Sequence, residues 1–513
     1  MNARSTSSAA SGIIAALALA AGTATTLAAP PKSITIYSSA APGAIDPDLY
    51  RPRPGYNPGY GNPIPGYALV REDRPIRIEA GRSEVRITDV AALIDPTTVS
   101  FRSLTDEDTR VIDQNFQFDL VSTDKLLERF VDQEINAVVT RGNEPAVVSG
   151  TLLSAQGGQL ILRDRDGAVQ VVNGYNGIDL PTLPEGLITR PTLVWNVLSR
   201  GAGPQTVRIA YQTQGITWWA DYNLVYAEGD NANRGTLDLS AWVSILNQSG
   251  ASYEETQLKL VAGDVNRAPQ QKNVYMMRGA APASDMAAEA APEFAEKSFF
   301  EYHLYTLSEP TTIPQNSTKQ LELFPTARDI PVEKILLYAG QEHVWWGGGP
   351  ITDQNFGVES KSDVDVYLKF ENSKEKGLGM PLPAGRVRVS KVDPDDGGME
   401  FVGEDVIKHT PREEEVLIKM GKAFDVVGSR RQVDFSLDAG RRRMEETIEV
   451  EVRNRKETPV EVVVQERMFR HTNWEFVGEA PEHKKLDAST VHFPVRIEPN
   501  GKATVRFRVR YWW

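Results

Sequence analysis

The side chains available for chemistry form a narrow set. The chain has no cysteine and six histidines, which excludes thiol nucleophiles, thiolate-bound zinc, iron–sulfur clusters and disulfides. His303, His343, His409, His471, His483 and His492 show neither HxH nor HxxxH spacing, the arrangements that set two imidazoles on one metal. The GxSxG turn of serine hydrolases, the GxxxxGK[ST] phosphate loop and a strand-linked GxGxxG are absent. Carboxylates are plentiful, and a glycosidase-type pair is defined by distance in space rather than in sequence. Asp393-Pro-Asp395-Asp396-Gly397-Gly398 superficially suggests a calcium loop but lacks the spaced ligands and terminal Glu. Between the strand-like RVRVSKV and MEFVG it reads as a hairpin turn. The sequence therefore assigns no catalytic residue, no metal ligand and no cofactor.

Tryptophan carries more information. Trp218-Trp219, Trp345-Trp346 and Trp512-Trp513 hold six of the nine tryptophans. Neighbouring strand residues face opposite sides, so each pair is expected to send one indole inward and one outward. Trp218, Trp219, Trp345 and Trp346 are the candidate binding surface, for a glycan or an envelope protein. Gly347-Gly348-Gly349 follow the second pair. The competing explanation is aromatic packing at sheet edges.

The elements that would position these residues are strands. Leu237, Leu239, Ala241, Val243 and Ile245 alternate with more polar neighbours, as do Val364, Val366, Leu368 and Phe370, and Ile448, Val450 and Val452. Period two places each row on one face of a half-buried sheet. Asn143, Gly157-Gly158, Asp166-Gly167 and Pro499-Asn500-Gly501 mark turns, and long amphipathic helical windows are nearly absent. The expected fold is mainly β: multi-module β-sandwiches with an inserted small SH3-like or Sm-like β-barrel. No repeat with a period of 20–50 residues is apparent, which disfavours solenoids and propellers.

Composition places the chain in the cell and divides it. Arg4 is the only charge before Lys32, and Ile13 to Leu27 is apolar or small; residues 1–29 read as a secretory signal peptide. The run is shorter than the ~20 residues of a spanning helix, and no later segment comes closer, so no transmembrane helix is expected after processing. The formal net charge is −13 over 513 residues, an acidic balance that argues against nucleic acid. The first sandwich is assigned to 33–121 and completed by 179–214. It is interrupted at 38–65 by the Pro/Gly/Tyr-rich stretch RPRPGYNPGYGNPIPG, which cannot ladder. Residues 122–178 form the inserted barrel-like module, with a helix carrying Leu126, Leu127, Phe130 and Val131. Its five basic and seven acidic residues make RNA a poor partner. The central β region spans 215–440 with a flexible insertion at 268–296, and a C-terminal sandwich spans 441–513. Arg441-Arg442-Arg443 with Glu445-Glu446 reads as a solvated strand start.

At the C-terminus Val505, Phe507, Val509, Tyr511 and Trp513 alternate with Thr504, Arg506, Arg508, Arg510 and Trp512. This pattern suits the last strand of a soluble sandwich, or that of an outer-membrane barrel with a lumen-facing arginine row. Longer runs carry a family likeness. ITWWADYNLVYAEGD, TLDLSAWVSILNQSGASYEETQLKLVAGDVN, FFEYHLYTLSEPTTIPQNSTKQLELF, FENSKEKGLGMPLPAGRVRV, FVGEDVIKHTP and KMGKAFDVVG resemble the bacterial family called domain of unknown function 4139. ALVREDRPIRIEAGRSEVRITDVAALIDPTTVSFRSL is similar to the amino-terminal portion of such proteins. Some members, related to a mucoidy inhibitor, carry a coiled coil where this chain has its small barrel-like block. The resemblance implies an exported, β-rich protein and supplies no catalytic residues. The sequence is thus expected to encode a periplasmic or outer-membrane-associated protein acting by binding or as a scaffold, not as an enzyme. The alternatives are an outer-membrane barrel or outer-membrane-associated protein and a carboxylate-dependent glycan hydrolase. No oligomeric state is assigned.

Overall fold

A computed structural model of the chain describes residues 32–37, 45–50, 64–117, 122–141, 144–182, 188–263, 265, 294–299, 302–341, 349–393 and 395–513. The expected signal peptide, most of the 38–65 stretch, and Trp345 and Trp346 lie outside the described residues. The regular structure of the described chain is almost entirely strand, as the alternation predicts.

Lys32–Tyr37 buries Ile34 and Ile36 completely. It pairs antiparallel with Tyr67–Ile78 and parallel with Tyr253–Ala262, so the opening strand bonds the first sandwich to the central region. The sheet continues through Gly203–Thr213 to an edge at Ile94–Ser103. A second sheet, Gly81–Ile87, Thr192–Ser199 and Arg110–Gln117, packs on it through the buried Trp195, whose ring meets Phe101 edge-on at 5.1 Å. The 38–65 stretch is rooted where Tyr37 pairs with Tyr67, their rings stacked 4.7 Å apart.

The inserted block has its own small core of Leu127, Phe130, Ile135, Leu152 and Leu160. Ser122 caps its helix, Thr123–Arg129, accepting from the Lys125 amide at 3.2 Å. The last strand, Gly177–Asp179, returns to pair with the first, Glu134–Arg141, and the sheet then runs to Val169–Asn173. Among the described residues no ladder joins its two edges, so the expected barrel is an open five-stranded sheet.

Phe294–Phe299 and Tyr302–Leu307 extend the first sheet beyond Tyr253–Ala262, and most of the other strands form one continuous sheet. Its path runs Met399–Ile407, Gly385–Val392, Ile216–Glu228, Arg234–Asn247, Ser317–Tyr338, Asp363–Glu371 and Glu415–Asp438, then Arg443–Asn454, Lys502–Trp512 and Trp474–Phe476. Position 440/441, where the sequence suggests a new sandwich, lies in a hairpin turn between laddered strands. The cores divide instead partway along three strands. Ile330 and Val332, Leu368 and Phe370, and Val416 and Ile418 belong to the first; Leu336 and Tyr338, Val364, and Val426 belong to the second. Phe294–Glu296, expected at the end of the flexible insertion, begin the strand Phe294–Phe299 beside Tyr302–Leu307; Phe294 is fully buried and anchors it.

Two sets of five strands repeat one plan, the first drawing its middle pair from the opening sheet. In each, a hairpin (Ile216–Glu228 with Arg234–Asn247; Glu415–Asp438 with Arg443–Asn454) ends on an asparagine. A second antiparallel pair follows (Tyr253–Ala262 with Tyr302–Leu307; Val460–Arg467 with Thr490–Ile497). A fifth strand (Ser317–Tyr338; Lys502–Trp512) then returns to the hairpin's second strand. The Asn247 amide donates to the carbonyls of Ala251, Ile313 and Pro314 at 2.9, 3.3 and 3.0 Å. That of Asn454 donates to Thr458, Ile497 and Glu498 at 2.9, 3.4 and 3.2 Å. Each Oδ1 accepts the N–H two residues on, at Ser249 and Lys456. Asn316 and Asn500 turn the chain into each fifth strand, both at φ 53°.

Candidate binding surface

The tryptophan surface is only partly assembled. Trp218 is buried in the core, while Trp219 faces outward on the same strand, the opposite orientations that alternation predicts. Trp219 is not free, however: Tyr50 packs against it at 5.3 Å, and Ile45, Ile64 and Leu246 complete a small apolar cluster there. Its indole N–H donates to Asp221 at 2.7 Å, and Asp221 also receives Arg388. Ile45, Tyr50 and Ile64, which flank the Pro/Gly/Tyr-rich stretch, thus cover Trp219. At the end of the chain Trp512 is 39% exposed, and Trp513 stands near His471.

The larger exposed apolar surface lies elsewhere, along a seam in the sheet. Met399–Ile407 has ladder bonds only to Gly385–Val392 among the described residues, and its free side lies against Glu415–Asp438. At the seam the Lys419 N–H donates to the Asp405 carboxylate at 2.6 Å, in place of a strand carbonyl. A Cβ on Gly403 would stand 2.7 Å from the Met420 carbonyl oxygen, so this closeness of approach needs glycine. These two contacts run in antiparallel sense.

Two bulges turn this surface outward. On Met399–Ile407, Gly403 and Ile407 face the core, and simple alternation would send Phe401 and Met399 there too. The extra residue Val402 shifts the register: Gly403 pairs with Val389 but Phe401 pairs with Ser390. Phe401 and Met399 are consequently 63% and 62% exposed. On Glu415–Asp438, Val416, Ile418 and Val426 are buried, and Phe424 shares their parity. There the register jumps from Lys422 opposite Asp365 to Val427 opposite Asp363. The surplus residues loop out and Phe424 is 93% exposed. Val392, Val406 and Leu417 extend the surface. The bulges also re-aim side chains and interrupt ladder pairing.

The local charges are mostly spent. Lys419 donates to Asp365 at 2.9 Å and Lys422 pairs with Asp363; the hydrogen bond to Asp365 raises the Lys419 pKa. Glu400 has no ion-pair partner among the described residues, and Asp393, Asp395 and Asp396 crown the neighbouring hairpin, giving the rim an acidic cast.

Beyond the seam, buried charge organises the second core. Arg430 Nε donates to both oxygens of Glu466 at 3.0 and 3.1 Å, and its Nη1 reaches the Gly357 carbonyl at 3.2 Å. Arg470 Nε donates to Glu446 at 2.8 Å, and the same carboxylate receives the Tyr511 hydroxyl at 3.1 Å. The Arg470 fork also donates to the carbonyls of Ile351, Asp353, Gln354 and Phe356 and to the Gln432 side chain. Together the two arginines hold the irregular segment 349–361 onto the sheet. Glu446, which the sequence places on a solvated strand start, is 2% exposed; Glu445 alone faces water, between Arg508 and Arg510. Val505, Phe507, Val509 and Tyr511 are buried in this core, so the apolar row of the last strand packs against protein.

Among the described residues no group of three or more His, Asp or Glu is placed to hold a metal ion, and no helix is long and apolar enough to cross a membrane. No family model, curated protein or solved structure matches the chain.

Proposed function

We propose that this protein is an exported binding or scaffold protein of the cell envelope, periplasmic or outer-membrane-associated, that engages a partner protein through the seam surface and performs no reaction of its own. The observation that carries the reading is the outward apolar set of Met399, Phe401, Val406, Leu417 and Phe424 beside an incompletely paired strand. Contiguous exposed apolar surface marks interaction sites, and large side chains at the centre of such surfaces dominate binding. The leader-like residues 1–29 and the likeness to the domain-of-unknown-function 4139 family support export.

A photocrosslinking phenylalanine analogue at position 424 is expected to give one discrete adduct in intact cells. The same probe at Glu255, an exposed position on Tyr253–Ala262 in the other sheet, serves as the comparison. Identical patterns at both positions would count against the seam. The Phe401→Asp and Phe424→Asp substitutions should weaken that partnership at least tenfold while each shifts stability by no more than about 0.5 kcal/mol, as exposed positions do. Melting curves measured alongside would expose any unfolding. For the outer-membrane-barrel alternative, the buried row of the last strand predicts release into the supernatant by carbonate extraction; retention in the membrane pellet would favour the barrel.

A further inference from the structure

The first sandwich carries a second surface feature, distinct from the seam. A cleft of about 730 Å³ opens between Ile94–Ser103 and Arg110–Gln117, within the ~300–1,000 Å³ usual for ligand sites. Its walls are the edges of two different sheets, each strand laddered on one side only among the described residues. Val99, Phe101 and Val111 form an apolar floor, with Phe101 braced on Trp195. One end is closed by the Gln114 amide, which donates to the Pro96 carbonyl at 2.7 Å. A polar knot closes the other: Ser103 donates to Gln205 at 2.9 Å, and Thr109 to Asp106 at 2.8 Å. Each wall between these ends is about five residues, ~17 Å of extended chain.

Charge selects the occupant. Arg102 and Arg110 line the cleft, and neither guanidinium has an ion-pair or hydrogen-bond partner among the described residues. Arg74, Arg208 and Arg388, by contrast, each hold a carboxylate. Of the acids on the same lining, Asp113 receives the Asn196 amide at 2.7 Å and Glu107 stands exposed. Two uncommitted guanidinium forks favour carboxylate groups, which they bind in bidentate fashion.

We infer that this cleft binds an acidic, extended segment of a partner protein. The free strand edges would take its backbone, alternate apolar side chains would meet Phe101 and Val111, and intervening carboxylates would meet Arg102 and Arg110. The inference rests on the binding-protein reading but uses none of the seam residues.

The test uses the full mature chain and two labelled peptides, Glu-Val-Glu-Val-Glu and Lys-Val-Lys-Val-Lys, with oligogalacturonate as an anionic glycan. The acidic peptide should bind saturably and the basic one should not. The R102Q/R110Q variant should lose at least tenfold in affinity with an unchanged melting curve, and Val111→Trp, which fills the floor without changing charge, should also abolish binding. Equal binding of both peptides, or no effect of R102Q/R110Q, would overturn the inference. Binding of oligogalacturonate without the acidic peptide would reassign the cleft to an anionic glycan. The Phe424→Asp variant should keep full peptide affinity, so failure of the seam reading and failure of this one give different results.

Discussion

Replacing Arg430 with methionine is expected to destabilise the second core by about 3–5 kcal/mol, the usual consequence of leaving a buried charge without its partner. Glu466 is fully buried beside it, and burial already holds its pKa above the ordinary carboxylate value, against the pull of the Arg430 guanidinium. The sign of the pH dependence follows. A carboxylate with a raised folded pKa adds stability below its unfolded pKa and loses it as pH rises through the folded value. Without Arg430 that folded value moves higher still, so the deficit of Arg430→Met should be largest near pH 8 and shrink toward pH 5, as Glu466 takes up a proton. Urea midpoints at the two pH values measure it. The double variant R430M/E466L should recover most of the loss, because a buried ion pair replaced by apolar groups is often near neutral. A single variant with wild-type stability at pH 8 would contradict the buried pair. Loosening should also reach 349–361 through Gly357 and Ser360, visible as faster amide exchange there.

The second large effect concerns the asparagine corners. Asn247→Ala and Asn454→Ala should each cost about 3 kcal/mol, since each strands several buried or half-buried backbone groups, at roughly 1–3 kcal/mol for a group left wholly unsatisfied. Because each corner bonds the carbonyl four residues on and the carbonyls three and two residues before Asn316 or Asn500, the losses should agree within about 1 kcal/mol. Aspartate at either position, with an acceptor where the amide donates to carbonyls, should be worse than alanine. Chemical denaturation of the four variants decides this. A large loss at one corner and none at the other would show that the shared geometry is not matched by shared energetics.

These residues also show where the sequence was legible. Rows such as Val364, Leu368 and Phe370, or Val505, Phe507 and Val509, could be read directly because a pleated strand with one buried face imposes period two on its side chains. The outward and inward indoles of Trp218-Trp219 followed from the same rule. Parity failed at Phe401, Met399 and Phe424, where a bulge inserts residues and every later side chain changes face. Nothing local announces the Val402 bulge. The repeat of the asparagine corner was equally hidden: 454 − 247 is 207 residues, far beyond a search for periods of 20–50, and NQSGASY and NRKETPV share only their first residue.

The sequence by itself determined that the chain is mainly β, with a small separate block near Ser122 and a Pro/Gly/Tyr-rich interruption, because propensity, alternation and turn residues act over a few neighbours. Only the tertiary structure decided which charges are buried, that Trp219 is covered while Phe424 is bare, that two cores share three long strands, and that two sheet edges leave a cleft with unpaired arginines. Those outcomes depend on register and on pairing between residues tens to hundreds of positions apart. A shift of one residue in a ladder inverts a whole face, and the local pattern does not encode which shift the ladder will take.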